Sequence, residues 1–419
     1  MRIDEQPVSE TAATCTPRRW LSIVGIGEDG LEGLSPAARL LIGQAELVVG
    51  GARHLALARD AIRGEAWPWP SPIHDAWPRI EAMRGRPVVL LASGDPYFYG
   101  VGTQIAARFP EEETLCLPQP SAFSLAASRL RWSLQETALV TLHGRRLEGI
   151  VRYLQPGARI LALSWDGSTP GKLAALLRER GMGRSGLVVL EALAGSGERV
   201  RRTTAEAFAL EDIAPLNTVA VEVRADADAR VVSLAPGLDN SLFEHDGQLT
   251  KREVRAVTLA SLAPRQGELL WDIGLGAGSV AIEWLLRHSA MRAVGFEERP
   301  ERAERAARNA AVLGTPDLEI VVGPAPGSLA GLPPPDAVFI GGGLCDPGLF
   351  EAAWAALKAG GRLVTNAVSL ESEAKLIDLS QAFGGDLTRL SVARAERLGE
   401  VTTWQPAKPI TQWRGEKPR

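Results

Sequence analysis

The sequence predicts an α/β protein of two domains. Three observations predict it: the length, two series of short apolar runs alternating with helical stretches, and a glycine-rich turn at the head of each series. At 419 residues the chain exceeds the ~250–300 residues at which single cores usually split. Hydrophobic residues make up 45% and charged residues 23%, the balance of a globular protein. A net charge of −4 argues against a nucleic-acid partner held by bulk charge. An anionic small molecule remains admissible if Arg and Lys cluster locally.

The first series runs from Arg18 to about Arg224. "LSIVGIG", "AELVVGG", "RPVVLLASG", "ALVTLHG", "ARILALSW", "SGLVVLEAL" and "NTVAVEV" are rich in Val, Ile and Leu and bounded by Gly, Pro or Asn, as strands are. Between them "SPAARLLIGQA" offers Ser35 as N-cap and Pro36 at the first helical position. "TPGKLAALLRERG" starts at Thr169 and stops at Gly181. Such alternation implies a mostly parallel sheet. "RADADARVVSLAPG" breaks the pattern and predicts a linker at 226–236. The second series, 237–419, sets "GELLWDIG", "RAVGFEE", "LEIVVG", "DAVFIGGG" and "GGRLVTNAV" as strands. "SVAIEWLLRH", "PERAERAARNAAVLG" and "LFEAAWAALKAG" are its helices.

The termini and reactive residues narrow the class further. Residues 1–17 mix acids and bases without an apolar segment, which excludes a signal peptide and predicts a disordered leader. No apolar run reaches the ~18 residues that span a bilayer, so a cytoplasmic protein without a membrane partner is expected. Cys15, Cys116 and Cys345 form no C-x-x-C pair, and the five histidines form no H-x-x-x-H pair. No disulfide framework and no metal site are expected.

The two glycine turns differ in context. Gly25-x-Gly27-x-x-Gly30 has the spacing of a dinucleotide fingerprint, but the helix signal comes later, at Ser35-Pro36. The second strand ends in glycine, without the acid that would hold a ribose. A tight loop suits it better than a nicotinamide site. In "LLWDIGLGAGSVAIEWLL", Asp272 ends a strand, Gly274, Gly276 and Gly278 alternate, and a helix begins at Ser279. Glu297 ends the next strand, where a carboxylate can accept both hydroxyls of a ribose. Glycines admit a ligand to the backbone, and the helix N-terminus offers free N–H groups.

The D-x-G-x-G-x-G arrangement resembles the first motif of class I S-adenosylmethionine-dependent methyltransferases. With "FEHDGQLTKREVRAVTLASLAP", "PDAVFIGGG" and "RLVTNAVSLESEA", residues 237–419 look like the C-15-methylating, decarboxylating enzymes of cobalamin (vitamin B12) biosynthesis. "VGIGEDGLEGLSPAAR", "SGDPYFYGVG", "PQPSAFSLAASRL" and "VTLHGR" resemble the two-lobed tetrapyrrole methylases (class III), most nearly the corrin C-5 methyltransferases, over 18–225. Glu28-Asp29 stand where that family has Pro-Gly.

The resemblance implies methylation of an anionic tetrapyrrole at C-15 and C-5 with loss of carbon dioxide from the ring C acetate, and one S-adenosylmethionine site per domain. Carried over residue by residue, it places the donor on Gly94, Asp95, Ser121 and Ala122 in the first domain. In the second the set is Asp272, Gly274, Gly276, Gly278, Glu297 and the backbone of Ala325, with Pro324 where the family often has an acid. Asn366, Lys251, His143 and Asp95 are the candidate catalytic residues. Arg145, Tyr99, Arg252 and Gly341, Gly342 and Gly343 are the candidate substrate contacts. Thr250 with Glu253 also reads as a capping box. "RLRW" at 129–132, "GRR" at 144–146 and "RVRR" at 199–202 are further carboxylate-binding candidates, although such a cluster is more often a solvated face. Homo-oligomers, dimeric through the first half and tetrameric through the second, and transient handover to neighbouring pathway enzymes are implied as well. Three rivals stand beside this reading: a nicotinamide-dependent oxidoreductase, an RNA methyltransferase in the C-terminal half, and a chain in which one half is a silent scaffold.

Overall fold

The computed structural model describes residues 19–419; the leader expected over 1–17 lies outside the described residues. The chain forms two compact units. The first runs through His143 and adds Arg159–Glu179 and Gly183–Glu222. The second holds Gly144–Ala158, Arg180–Met182 and Val223–Arg419.

The first unit carries two sheets. In one, β1 (Leu21–Ile26), β2 (Leu47–Gly50), β3 (Glu65–Pro68), β4 (Val88–Ser93) and β5 (Thr114–Leu117) lie in the order β3-β2-β4-β1-β5, every pairing parallel. β1 is buried at every position, as a parallel strand covered on both faces must be. Helix Pro36–Gln44 begins where its sequence signals put it, with Ser35 Oγ accepting the Ala38 amide at 3.2 Å. The other sheet holds β6 (Thr137–Thr141), β7 (Arg159–Leu163), β8 (Gly186–Glu191), β9 (Arg199–Thr204) and β10 (Asn217–Glu222), in the order β6-β7-β10-β8-β9.

Here the expectation of a mostly parallel sheet fails, because only β6 and β7 run parallel. β8 and β9 are joined by seven residues, Ala192 to Glu198, too few for the crossover that parallel strands require.

In the second unit β11 (Leu269–Ile273), β12 (Arg292–Glu297), β13 (Glu319–Val322), β14 (Ala337–Ile340) and β15 (Arg362–Ala367) form a parallel set. β16 (Asp386–Leu390), an exposed hairpin of β17 (Ala393–Leu398) and β18 (Val401–Pro406), and β19 (Ile410–Glu416) follow. The sheet order is β13-β12-β11-β14-β15-β19-β16, with β19 antiparallel to both neighbours. Its core gathers Trp271, Phe296, Ile340, Phe350, Leu363 and Trp413. β11 and β14 are central neighbours, so the loops after them open side by side at the carboxyl edge of the sheet, where ligands enter folds of this kind. Among the described residues no helix is long and apolar enough to cross a membrane.

Candidate active sites

The carboxyl edge of the second unit's sheet assembles the alternating glycines. Gly274, Gly276 and Gly278 all have positive φ, at 77°, 57° and 78°, a region that glycine enters freely and, of the other residues, Asn most readily. Their surroundings separate their roles. A Cβ on Gly274 would lie 2.9 Å from Gly342 N, and one on Gly278 would lie 3.1 Å from Ala306 Cβ. Both are therefore required by packing. A Cβ on Gly276 would meet nothing nearer than Gln248 O at 3.7 Å, so this glycine alone of the three has room for a side chain. Gln248 also brings the segment before Lys251 over the loop. A Cβ on Gly341 would lie 3.0 Å from the Phe339 ring and 3.2 Å from Gly274 O, while one on Gly342 would meet open space.

Two carboxylates hold this loop. Asp272 is 1% exposed, and its Oδ2 accepts the Ala281 amide at 3.0 Å, fastening the helix Ser279–Leu286 to the end of β11. Burial pushes its carboxyl up to about 7, although the Ala281 amide pulls it down; the Glu297 carboxylate adds to the rise. Glu297 takes the Gly276 amide at 2.8 Å and the Arg299 amide at 3.1 Å. Its own carbonyl accepts from Gly323 at 3.0 Å, which brings the loop bearing Ala325 next to it.

The segment after residue 236 is fixed by a buried ion pair. Glu283 Oε1 accepts Arg255 Nε at 2.5 Å, both side chains being wholly buried. The same carboxylate accepts the amides of Gly237 at 2.7 Å and Leu238 at 2.8 Å. Neither residue stood out in the sequence. Helix Arg252–Leu262 starts one residue later than a Thr250 cap requires: its N-cap is Lys251, with no side-chain cap. The Thr250–Glu253 capping box is therefore corrected; Glu253 is taken by Arg394. Lys251 and Arg252 are exposed.

The Asn366 expectation also changes. Its Nδ2 donates to Thr258 Oγ1 at 3.0 Å and its Oδ1 accepts Gln412 Nε2 at 2.8 Å. Both ends of the amide tie β15 to β19 and the helix Arg252–Leu262, so its hydrogen bonds are made within the protein.

At the first unit's parallel sheet, three chain segments meet backbone to backbone. A Cβ on Gly25 would lie 1.8 Å from Gly94 O, and one on Gly94 would lie 2.8 Å from Pro120 O. The Gln119 amide donates to Gly94 O at 3.0 Å. Gly94, Asp95, Ser121 and Ala122 are thus gathered at one edge. Asp95 Oδ1 accepts the Tyr97 amide at 2.9 Å. Ser121 spends its hydroxyl capping the helix Ala122–Leu130 through Ser124 N, at 3.2 Å. Tyr99 is 53% exposed with φ 58°, and its hydroxyl donates to Leu139 O at 3.2 Å. Glu28 and Asp29 fit the turn: Glu28 pairs with Arg53, and the Asp29 carboxylate fills the space a side chain on Gly27 or Gly33 would need.

His143 is exposed, its ring 6.1 Å from Trp165, and Arg145 is exposed beside it in sequence. Of the Arg clusters, Arg129 pairs with Glu198, and Arg199 and Arg201 both pair with the buried Glu191. These three are structural, which corrects the carboxylate-binding reading for them. Arg146 pairs with Glu148.

A further polar cluster went unread in the sequence. Arg53 and His54, in the helix Ala52–Leu57 after β2, meet Ser93 at the end of β4. His54 Nε2 lies 2.8 Å from Ser93 Oγ, and Arg53 Nη2 lies 2.9 Å from His54 Nε2 and 3.0 Å from Ser93 Oγ. Burial, helped by Arg53, pushes His54 down to about 4. The signal available was "GGARHL" after the second strand, where only the missing acid drew notice.

Comparison with known proteins is specific for both halves. Residues 21–209 match the family described as tetrapyrrole (corrin/porphyrin) methylases, and 241–417 the family described as the precorrin methyltransferase domain. A Sinorhizobium protein named precorrin-6Y C(5,15)-methyltransferase (decarboxylating) is 55% identical over 394 residues, 94% of this chain and 95% of its own. A Mycobacterium tuberculosis protein of the same name is 39% identical, over 93% of this chain and 98% of its own. The crystal structure of the C-terminal domain of precorrin-6Y C5,15-methyltransferase from Rhodobacter capsulatus is 48% identical with a TM-score of 0.42. It covers 44% of this chain and 100% of that chain.

Proposed function

The chain belongs to the precorrin-6Y C5,15-methyltransferase (decarboxylating) family, and from that premise we propose how its two halves divide the work. It is a decarboxylating methyltransferase of cobalamin biosynthesis, and its families use S-adenosylmethionine. The 237–419 domain methylates a precorrin-6B-type tetrapyrrole at C-15 and releases carbon dioxide from the ring C (C-12) acetate. The 18–225 domain methylates C-5, giving precorrin-8. Each domain binds its own donor. The protein works in the cytoplasm on a small anionic substrate, without nucleic acid or membrane.

The observation that carries this reading is Gly276. It is the one glycine of its loop where an added side chain would meet only ordinary contacts, at a φ of 57°, with the Glu297 carboxylate bonded to its amide. That cradle suits a nucleoside with a ribose to hold. The donor supplies a methyl already activated on a sulfonium, so the protein's part is alignment. Asp272 fixes the helix N-terminus, Glu297 takes the ribose hydroxyls, and Ala325 backs the adenine. Exposed Lys251 and Arg252, and Arg145 in the first domain, meet substrate carboxylates. Gly341, Gly342 and Gly343 let the macrocycle approach.

Mass spectrometry of the tetrapyrrole tests the division. The whole chain with precorrin-6B should add two methyls and lose one carbon dioxide. Gly276→Asn, which tolerates the positive φ and fills the cradle, should leave precorrin-6B untouched yet still add one methyl to the decarboxylated C-15-methylated intermediate. A whole chain that binds donor and leaves every tetrapyrrole unchanged overturns the acceptor assignment. A homo-oligomer, dimer or tetramer, with transient handover to neighbouring enzymes, completes the proposal. Its support is the β17–β18 hairpin, where Leu398, Val401 and Trp404 are 69%, 62% and 71% exposed. Sedimentation equilibrium reads the state.

A further inference from the structure

We infer that Trp165 is the platform on which the first unit seats the apolar face of its tetrapyrrole acceptor, with the His143 ring as its border. The inference rests on the reading of this unit as the one that methylates C-5.

Trp165 is 56% exposed, although an indole gains by leaving water. A single exposed aromatic is ordinary on a protein surface. What sets this one apart is how firmly its backbone is held. Its amide and that of Asp166 both donate to Thr169 Oγ1, at 3.1 and 3.2 Å. Buried Ser164 gives its hydroxyl to Asn217 Oδ1 at 2.6 Å, and Asn217 Nδ2 donates to Asp166 O at 3.3 Å. One side chain thus clamps both neighbours of Trp165. Gly167 passes the Ile213 carbonyl so closely that a Cβ there would lie 2.3 Å from the oxygen. A ring displayed on a rigid turn loses little freedom when a ligand covers it.

The fold puts this ring on the edge that reaches the donor loops. β6, β7 and β8 run in one direction, since β7 is parallel to β6 while β7 and β8 are both antiparallel to β10. Their ends are in register: Thr141 lies opposite Leu163, Leu163 opposite Thr218, and Asn217 opposite Glu191. His143 and Trp165 follow the ends of β6 and β7, and the Leu142 amide donates to Leu163 O at 2.8 Å. The two exits therefore stay side by side. The exit of β8 meets the other sheet: a Cβ on Gly195 would lie 2.7 Å from Glu28 Cβ and 3.3 Å from Glu28 O. Glu28 belongs to the same turn as Gly25, whose backbone packs on Gly94. Because β7 and β8 flank β10, the exit of β7 stands about 10 Å from that of β8, two strand spacings. A macrocycle of four pyrrole-derived rings spans that distance.

The β8 exit is also fixed. Ala192 and Ala194 have φ of 44° and 68°, which costs an alanine energy, and Glu198 accepts the Ala194 amide at 2.7 Å. Strain of this kind collects at ligand sites. The acceptor's carboxylates hang from its rim and leave the faces of the ring system apolar. An indole meets such a face by offset stacking and asks nothing of the charges.

The test uses the full chain carrying fluorotryptophan, with the Trp165 resonance identified by its absence from Trp165→Phe. The decarboxylated C-15-methylated intermediate should shift that resonance, and S-adenosylmethionine alone should not. At saturating donor, Trp165→Ala should raise KM for the intermediate by about 30-fold, the order for an aromatic contact and its buried area. The kcat should stay near wild type, since stacking serves the ground and transition states alike. Trp165→Phe should restore most of the affinity. Donor binding by calorimetry and the denaturant midpoint should be unchanged in both variants. A resonance that ignores the tetrapyrrole, or a wild-type KM in Trp165→Ala, overturns the platform. So does lost donor binding, which would seat the adenine on this ring instead. A wild-type chain that shows the shift yet adds no methyl overturns the C-5 assignment and leaves the platform standing.

Discussion

The two glycine turns look alike in letters and differ in what surrounds them. In the first unit Gly25 is filled by the Gly94 carbonyl, and Gly27 and Gly33 make room for the Asp29 carboxylate. In the second, a side chain on Gly274 would press on the Gly342 backbone and one on Gly278 on the Ala306 side chain, and Gly276 alone of the three has room for one. A glycine motif therefore identifies a ligand loop only where at least one glycine is not already used by the protein. The first turn builds the floor of a site whose working groups come from other strands. The second turn is itself the cradle we propose for the donor.

That contrast can be broken most sharply at Gly25. Gly25→Ala sets a methyl 1.8 Å from backbone oxygen, and neither partner is a movable side chain. We expect a loss of about 4 kcal/mol or more, at the exceptional end for one substitution, read as loss of a cooperative transition in denaturant. Gly276→Asn should by contrast leave stability close to wild type and abolish donor binding.

The buried charges sharpen the comparison next. Glu283 and Arg255 are both fully buried in the second unit, whereas Glu191 in the first answers Arg199 and Arg201, which are 47% and 24% exposed. Removing one partner of a fully buried pair leaves a charge without compensation. Glu283→Ala should cost about 3–5 kcal/mol, seen as a drop in the denaturant midpoint. An equal or larger loss for Glu191→Ala would erase the distinction.

The most gradual expected effect, small per pH unit, concerns pH. The Asp272 carboxyl is raised from 3.8 to about 7 in the folded chain, so folding favours its protonated form. Its contribution is fully present below pH 3.8 and is lost as pH rises towards 7. The slope is on the order of 1 kcal/mol per pH unit at most. Asp272→Asn, which cannot ionise, should flatten the dependence of Tm on pH between 4 and 7 without donor. A slope unchanged by the substitution would show that another group carries it.

What the sequence made legible was periodicity and chain chemistry. The apolar runs of the parallel strands, Ser35-Pro36 at a helix start, and the Asp272–Gly278 turn with Glu297 beyond it all announce themselves locally. β9, read as an Arg patch, did not, because Arg199 and Arg201 are strand residues paired to Glu191. The hairpin β17–β18 gave no signal either, since it is exposed throughout and buries no face that would impose a pattern.

By itself, then, the sequence determined two α/β units, their order, and a glycine turn at 272–278 with Glu297 beyond it, since each depends on near neighbours in the chain. Only the tertiary structure decided that Gly276 is the glycine with room for a side chain, that Asn366 is held by Thr258 and Gln412, and that Ser93 lies beside His54. Those facts depend on segments tens of residues apart arriving at one sheet edge. Packing, which local propensity does not encode, brings them there.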